Sequence, residues 1–205
     1  MSVTPLRALW RRTSGAVGAE FAMVLPLLVL LLLGMIDVGR YMWMLNQVEK
    51  ATQMGARMAV VTTMVPTDLA AKNFAATLGQ GSAIPTSSFG SMQCTSNGTA
   101  ASCSCISNCS GIATTADNTA FNRVADRMNL MANYVSRSNV TIRYENSGLG
   151  YAGDPTGSDV APIVTVQAAG VPFRPLIFMF LGGRLVLPTV SASLTLEDGQ
   201  GNFSN

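Results

Sequence analysis

From Phe21 to Ile36 the chain reads FAMVLPLLVLLLLGMI, sixteen residues without a charge. A helix that crosses a bilayer needs about 20 apolar residues. Counting back through Ala16, Val17, Gly18 and Ala19 reaches that length and takes in Glu20. Beyond Arg40 the rhythm changes. Tyr41, Met44, Val48, Ala51, Gly55, Met58 and Thr62 recur at steps of three and four, which places them on one helical face. Arg40, Glu49, Lys50 and Arg57 fall mostly off that face. Pro66 predicts the stop. Glu20 to Thr63 is 44 residues, about 66 Å of helix at 1.5 Å per residue. Such a helix spans the bilayer and continues beyond it. Pro26 removes one intrahelical hydrogen bond and predicts a kink. The apolar face of the extension suits packing on the chain's own globular part or on other subunits.

The remainder reads as small elements. Residues 79–111 are rich in Ser, Thr, Gly and Asn and predict a long loop. Phe121, Val124, Met128, Met131 and Val135 lie on one stripe, predicting a second helix from Asp117 to Arg137. Thr114, Thr115 or Asp117 can cap it. Methionines at this spacing fill core gaps. Val140, Ile142 and Tyr144 alternate with polar residues, Ile163–Ala169 reads as another strand, and Val190, Ala192, Leu194 and Leu196 alternate as a third. Together they predict a small antiparallel sheet packed on the helices. Leu176–Leu181 is six apolar residues, far too short to span a membrane. It fits a buried helical turn, or an apolar patch at a membrane surface or subunit interface.

Composition narrows the class. Of 205 residues, 48% are hydrophobic and 12% charged, which excludes a disordered chain. The net charge of +2 gives no argument for a nucleic-acid partner. There is no histidine, which removes the commonest acid/base and metal ligand. No G-x-S-x-G, P-loop or H-E-x-x-H motif occurs, so no catalytic residue, metal site or cofactor is expected. Asp154 and Asp159 read as solvated turn residues; the ligand spacing of an EF-hand is absent. Arg7, Arg11 and Arg12 are the only charges before Glu20, and they predict a cytoplasmic N-terminus with the rest across the membrane. A cleaved secretory signal is disfavoured. No A-x-A step follows Ile36, where Asp37, Gly39, Arg40 and Trp43 stand instead. An uncleaved anchor remains compatible with composition.

Cys94, Cys103, Cys105 and Cys109 lie within sixteen residues. On the far side of the membrane they meet an oxidising compartment, where two disulfides form in any of three connectivities. A bond between Cys103 and Cys105 is the hardest to build. A zinc site would want paired C-x-x-C spacing, whereas this spacing is C-x8-C-x-C-x3-C with no histidine.

Glu20 is an ionisable residue at the start of an apolar helix and calls for a role. Cleavage after Gly15 would free the α-amino group of Ala16 and make Glu20 the fifth residue of the mature chain. Its carboxylate could then pair with the ammonium of a neighbouring subunit. The segment Gly15–Phe21, GAVGAEF behind Arg11-Arg12, resembles a type IV prepilin cleavage site, and Phe21 resembles the Tad (tight adherence) branch. Ala16–Val60 is similar to TadE-like pseudopilins in Glu20-Phe21-Ala22, Leu25-Pro26-Leu27, and the acidic residue followed by Gly39-Arg40. It is similar too in Gly55-Ala56-Arg57 within Ala51–Ala59. The chain's length favours a minor pilin or pseudopilin over a bulk filament subunit.

The resemblance implies a prepilin peptidase acting between Gly15 and Ala16, platform proteins that extract the subunit, other pilins and pseudopilins as partners, and roles in adhesion and biofilm growth. The expected architecture is α+β: a leader (1–15), a transmembrane helix with amphipathic extension (16–65), and an extracytoplasmic domain (66–205) containing the cysteine loop (79–111). It places the chain as a single-pass protein of a bacterial inner membrane, incorporated or not in a pilus. A different class also fits: a permanently anchored periplasmic binding or sensor domain, with Cys94 to Cys109 shaping a recognition loop.

Overall fold

The computed structural model describes residues 14–155, 157–178 and 182–196. The leader arginines Arg7, Arg11 and Arg12 lie outside the described residues, as does part of the Leu176–Leu181 run. The chain forms two compact units: residues 1–42 with 174–185, and residues 43–173 with 186–205.

Helix α1 runs Ser14–Val61 and includes Pro26. Its residues Val17–Val61 are long and apolar enough to cross a membrane, with a window of mean hydropathy 2.6 that is only 6% buried. In the first unit the apolar side chains are exposed on every side of the helix: Met23 is 76% exposed and Val17 67%. A helix apolar all round and unburied by its own chain is suited to a lipid or multi-helix environment.

In the second unit the same helix becomes one-sided. Val48, Ala51, Thr52, Gly55, Ala56, Met58, Ala59 and Thr62 are buried, while Glu49, Lys50 and Arg57 are exposed. This is the face the three- and four-residue spacing predicts. Gly55 permits the closest approach. A Cβ there would come within 2.7 Å of Met128 Cγ and 3.3 Å of Val166 Cγ1, so the helix backbone rests directly on side chains of a second helix and the sheet. The hydroxyls of Thr52 and Thr62 donate to the carbonyls of Val48 and Met58, so both are satisfied inside the core.

Two short helices follow, α2 (Thr67–Ala70) and α3 (Ala75–Leu78). Helix α4 is Asn118–Met131, capped by the Asp117 carboxylate accepting from Thr119 N (2.7 Å) and Ala120 N (3.2 Å). Phe121, Val124 and Met128 are buried as predicted. The helix ends six residues before the expected Arg137. The reason is local: Asn129 Nδ2 donates to the carbonyls of Asn133 and Val135, and Val135 N donates to Ala132 O, so the chain turns. Val135 still reaches the core, from the turn rather than from the helix.

The strands are β1 (Ser91–Ser96), β2 (Ala101–Ser107), β3 (Val140–Glu145), β4 (Ile163–Ala168), β5 (Pro172–Phe173), β6 (Leu185–Val186) and β7 (Val190–Thr195). Five form one sheet in the order β2-β1-β3-β4-β7, with every neighbouring pair antiparallel. Its inner face carries Met92, Cys94, Val140, Ile142, Tyr144, Val164, Val166 and Ala168, all buried. The other face is polar, with Ser104, Gln93, Arg143, Thr165 and Ser193 in register across all five strands. The architecture is therefore α+β with an antiparallel sheet. Strands β1 and β2 occupy part of the segment whose polar composition predicts only loop.

Tyr144 ties the sheet to the connection that follows α1. Its hydroxyl accepts from Val65 N at 3.1 Å, and burial pushes its phenol above the ordinary value despite that hydrogen bond. Asp159 corrects another expectation. It is 3% exposed, not a solvated turn residue, and its carboxylate accepts from Phe74 N (2.6 Å) and Asp154 N (3.1 Å). It organises two loops rather than waiting for an ion.

Candidate functional site

The residues singled out in the sequence fall into two groups, one on α1 and one on the β1–β2 hairpin. Gly15 lies within the helical backbone, followed by Ala16. Glu20 is exposed, and among the described residues it has neither a hydrogen-bond nor an ion-pair partner. Phe21 beside it is exposed as well. This carboxylate, surrounded by exposed apolar side chains, has nothing among the described residues to satisfy it.

Seventeen residues on, Asp37 is in the opposite situation. It is only 7% exposed. One carboxylate oxygen accepts from Leu176 N (2.8 Å), the other from Ile177 N (2.9 Å). Arg40, one helical turn away, reaches the first oxygen at 3.2 Å and the carbonyl of Arg174 at 3.5 Å. Gly34, one turn earlier, leaves room for Ile177, whose Cδ1 would lie 3.6 Å from a Cβ at that position. Two backbone donors and a guanidinium thus fasten the start of the Leu176 segment to the helix where its uncharged run ends. This clasp was not foreseen. The available signal was an acid directly after sixteen apolar residues with an arginine three positions later, but its partners are 139 and 140 residues away. They are also backbone groups, which carry no side-chain signature.

Leu176, Ile177 and Phe178 are half-buried. Gly182 N donates to Phe178 O at 2.7 Å, and Gly182 and Gly183 both have positive φ, 70° and 152°. A side chain at Gly183 would press on the Phe178 ring at 2.9 Å. The turn therefore needs both glycines.

On the hairpin, Cys94 pairs across the strands with Cys103, and the two sulfurs are at disulfide distance with Cα atoms 4.0 Å apart. Cys105 and Cys109 are also at disulfide distance, with Cα atoms 6.0 Å apart, at the end of β2. Of the three connectivities open to the sequence, this is the geometry adopted. No group of three or more His, Cys, Asp or Glu side chains suited to a metal occurs among the described residues.

Residues 15–57 match the family model of TadE-like protein. This segment is TadE-like. The matched residues include Gly15, Glu20, Asp37, Arg40 and Gly55, so they take in the exposed carboxylate and the helix side of both the clasp and the close contact at Gly55. The match implies a pilin-like protein associated with a Tad pilus, and with it membrane association and pilin partners. The exposed apolar first half of α1 fits membrane anchoring by this TadE-like segment. No curated protein and no solved structure gives a match.

Proposed function

We propose that this chain is a prepilin-like structural subunit, a pseudopilin or minor pilin, for assembly of a Tad-type adhesive pilus. A prepilin peptidase cuts it between Gly15 and Ala16. It resides as a single-pass protein of a bacterial inner membrane, N-terminus cytoplasmic and C-terminal domain periplasmic, until platform proteins bring it to other pilins and pseudopilins. In the periplasm Cys94–Cys103 and Cys105–Cys109 close as disulfides. The role is structural, with no cofactor.

One observation carries the reading: a Glu20 unpartnered among the described residues, five residues after Gly15, at the head of a helix whose apolar residues are exposed on all sides. The α-amino group that cleavage creates at Ala16 supplies the missing cation, presented by an adjacent helix. Pairing of that kind also sets the axial register between subunits. Gly at the −1 position leaves the peptidase a pocket without a side chain to accommodate. Gly15→Leu is therefore expected to leave the full-length precursor in the membrane, visible as slower migration on a gel. Normal mobility of that variant would remove the main support for the reading.

A further inference from the structure

The first unit contains a cavity of about 410 Å³ lined by Arg174, Pro175, Leu176, Phe178, Gly183 and Arg184. Its lining combines apolar residues with two arginines. Arg174 and Arg184 are exposed, and neither enters an ion pair among the described residues. The clasp decides where this cavity lies. From Val17 to Ile36 is 20 residues, about 30 Å of helix, which matches the hydrocarbon thickness of a bilayer. Asp37 begins the next turn, and its carboxylate holds Leu176 N and Ile177 N there. Nearby on the helix, Ile36, Val38 and Met42 are exposed apolar residues.

We propose that this clasped turn is a lipid-binding site: Arg174 and Arg184 hold the phosphate of an anionic phospholipid headgroup while Leu176, Ile177 and Phe178 enter the acyl boundary. The proposal rests on the membrane-anchored reading above. Guanidinium groups bind phosphate through paired N–H donors, and their alkyl stems lie along apolar surface with the charge at the interface. The exposed apolar helix beside the cavity continues the surface that the acyl chain would cover. The site would give the subunit a second hold on the membrane, independent of Arg7, Arg11 and Arg12. The helix would then keep its depth after the leader is removed.

The test uses the full-length protein. Alkaline carbonate washing of membranes first separates the two claims, because release of the wild type overturns anchoring and the lipid site together. For protein retained in the pellet, the purified chain is delipidated in detergent and offered phosphatidylglycerol and phosphatidylcholine. Lipid retained on the protein is read by native mass spectrometry. Preference for phosphatidylglycerol is expected, falling roughly fivefold for Arg174→Gln or Arg184→Gln and roughly 30-fold for both, since each cation contributes independently at an anionic surface. Arg→Lys at both positions should recover most of it. In parallel, the indole of Phe178→Trp in a Trp10→Phe, Trp43→Phe background should be quenched by lipids brominated on the acyl chain. Unchanged phosphatidylglycerol retention in the double glutamine variant would overturn the proposal. So would the absence of quenching in the Phe178→Trp variant, or equal displacement of the lipid by soluble glycerol phosphate. Loss of cross-linking between copies in the glutamine variant, with lipid retention intact, would make the turn a subunit contact instead.

Discussion

Three carboxylates of this chain illustrate how environment assigns a role to one functional group. Asp37 and Asp159 are buried and saturated by backbone N–H donors, which makes each of them a fastening. Glu20 is exposed and unpartnered within the described residues, and the proposed reading completes it with a cation from a neighbouring subunit. An ion pair taken out of water need not add net stability; removing one partner of a fully buried pair costs about 3–5 kcal/mol. Glu20→Ala is accordingly expected to be inserted and cleaved but to be lost from the assembly, whereas Glu20→Asp, one methylene shorter, keeps part of the function. Co-purification of the cleaved variants with the other pilus components checks this. Recovery of Glu20→Ala at the wild-type level, with normal pili, would make Glu20 a tolerated interfacial carboxylate.

Tyr144 gives a second prediction at this scale. Its hydroxyl accepts the Val65 N–H in a fully buried site, and burial raises its pKa above the value of the unfolded chain. Stability from this residue is therefore fully present below about pH 10, the ordinary tyrosine value, and falls above it as the unfolded chain ionises first. Tyr144→Phe leaves the Val65 N–H without its acceptor, at a cost of about 1–3 kcal/mol near neutrality. The variant should also lose less stability between about pH 9 and 11 than the wild type. Urea unfolding at several pH values measures both effects. A variant as stable as the wild type at neutral pH would contradict the assigned hydrogen bond.

At the scale of elements, legibility follows the apolar pattern. The face of α1 from Val48 to Thr62 was readable because the core needs a stripe at helical spacing, and β3, β4 and β7 because each alternates. Strands β1 and β2, SMQCTS and ASCSCIS, were not, since Ser, Thr, Gln and Cys resemble a loop composition. What makes them strands is pairing: β1 is hydrogen-bonded between β2 and β3, and Met92 and Cys94 enter the core from it. The Cys94–Cys103 pairing lies within that ladder and fastens the edge strand β2 to β1. The end of α4 was hidden for a related reason. Asn129 recruits carbonyls beyond the helix, an effect of one side chain that no periodicity reports. Two disulfides closing loops of sequence separation 9 and 4 should contribute about 2–3 kcal/mol each on the chain-entropy account. Unreduced protein from the periplasmic side should weigh four hydrogens less than its free-thiol mass, and digestion should yield Cys94 linked to Cys103 and Cys105 linked to Cys109. Four free thiols would contradict the placement of this hairpin in an oxidising compartment.

For the whole molecule, the two ends of α1 meet opposite requirements. The first half exposes apolar surface in every direction; the second buries one stripe against its own sheet and α4. A chain of this kind is built to be held by lipid or by other helices at one end and to carry its own folded domain at the other. Removing residues 1–15 takes away three arginines and changes the formal charge from +2 to −1. On the proposed topology these are the charges that hold the N-terminus at the cytoplasmic face. On the proposed reading the same cut creates the α-amino group offered to Glu20, which would make maturation and subunit pairing a single event. The identity of the first residue of the mature protein is the most direct measurement of this account. N-terminal sequencing of the membrane-resident or pilus-associated form should begin Ala16-Val17-Gly18-Ala19-Glu20. A protein that still begins at Met1 or Ser2 would contradict it and leave an anchored periplasmic domain in its place.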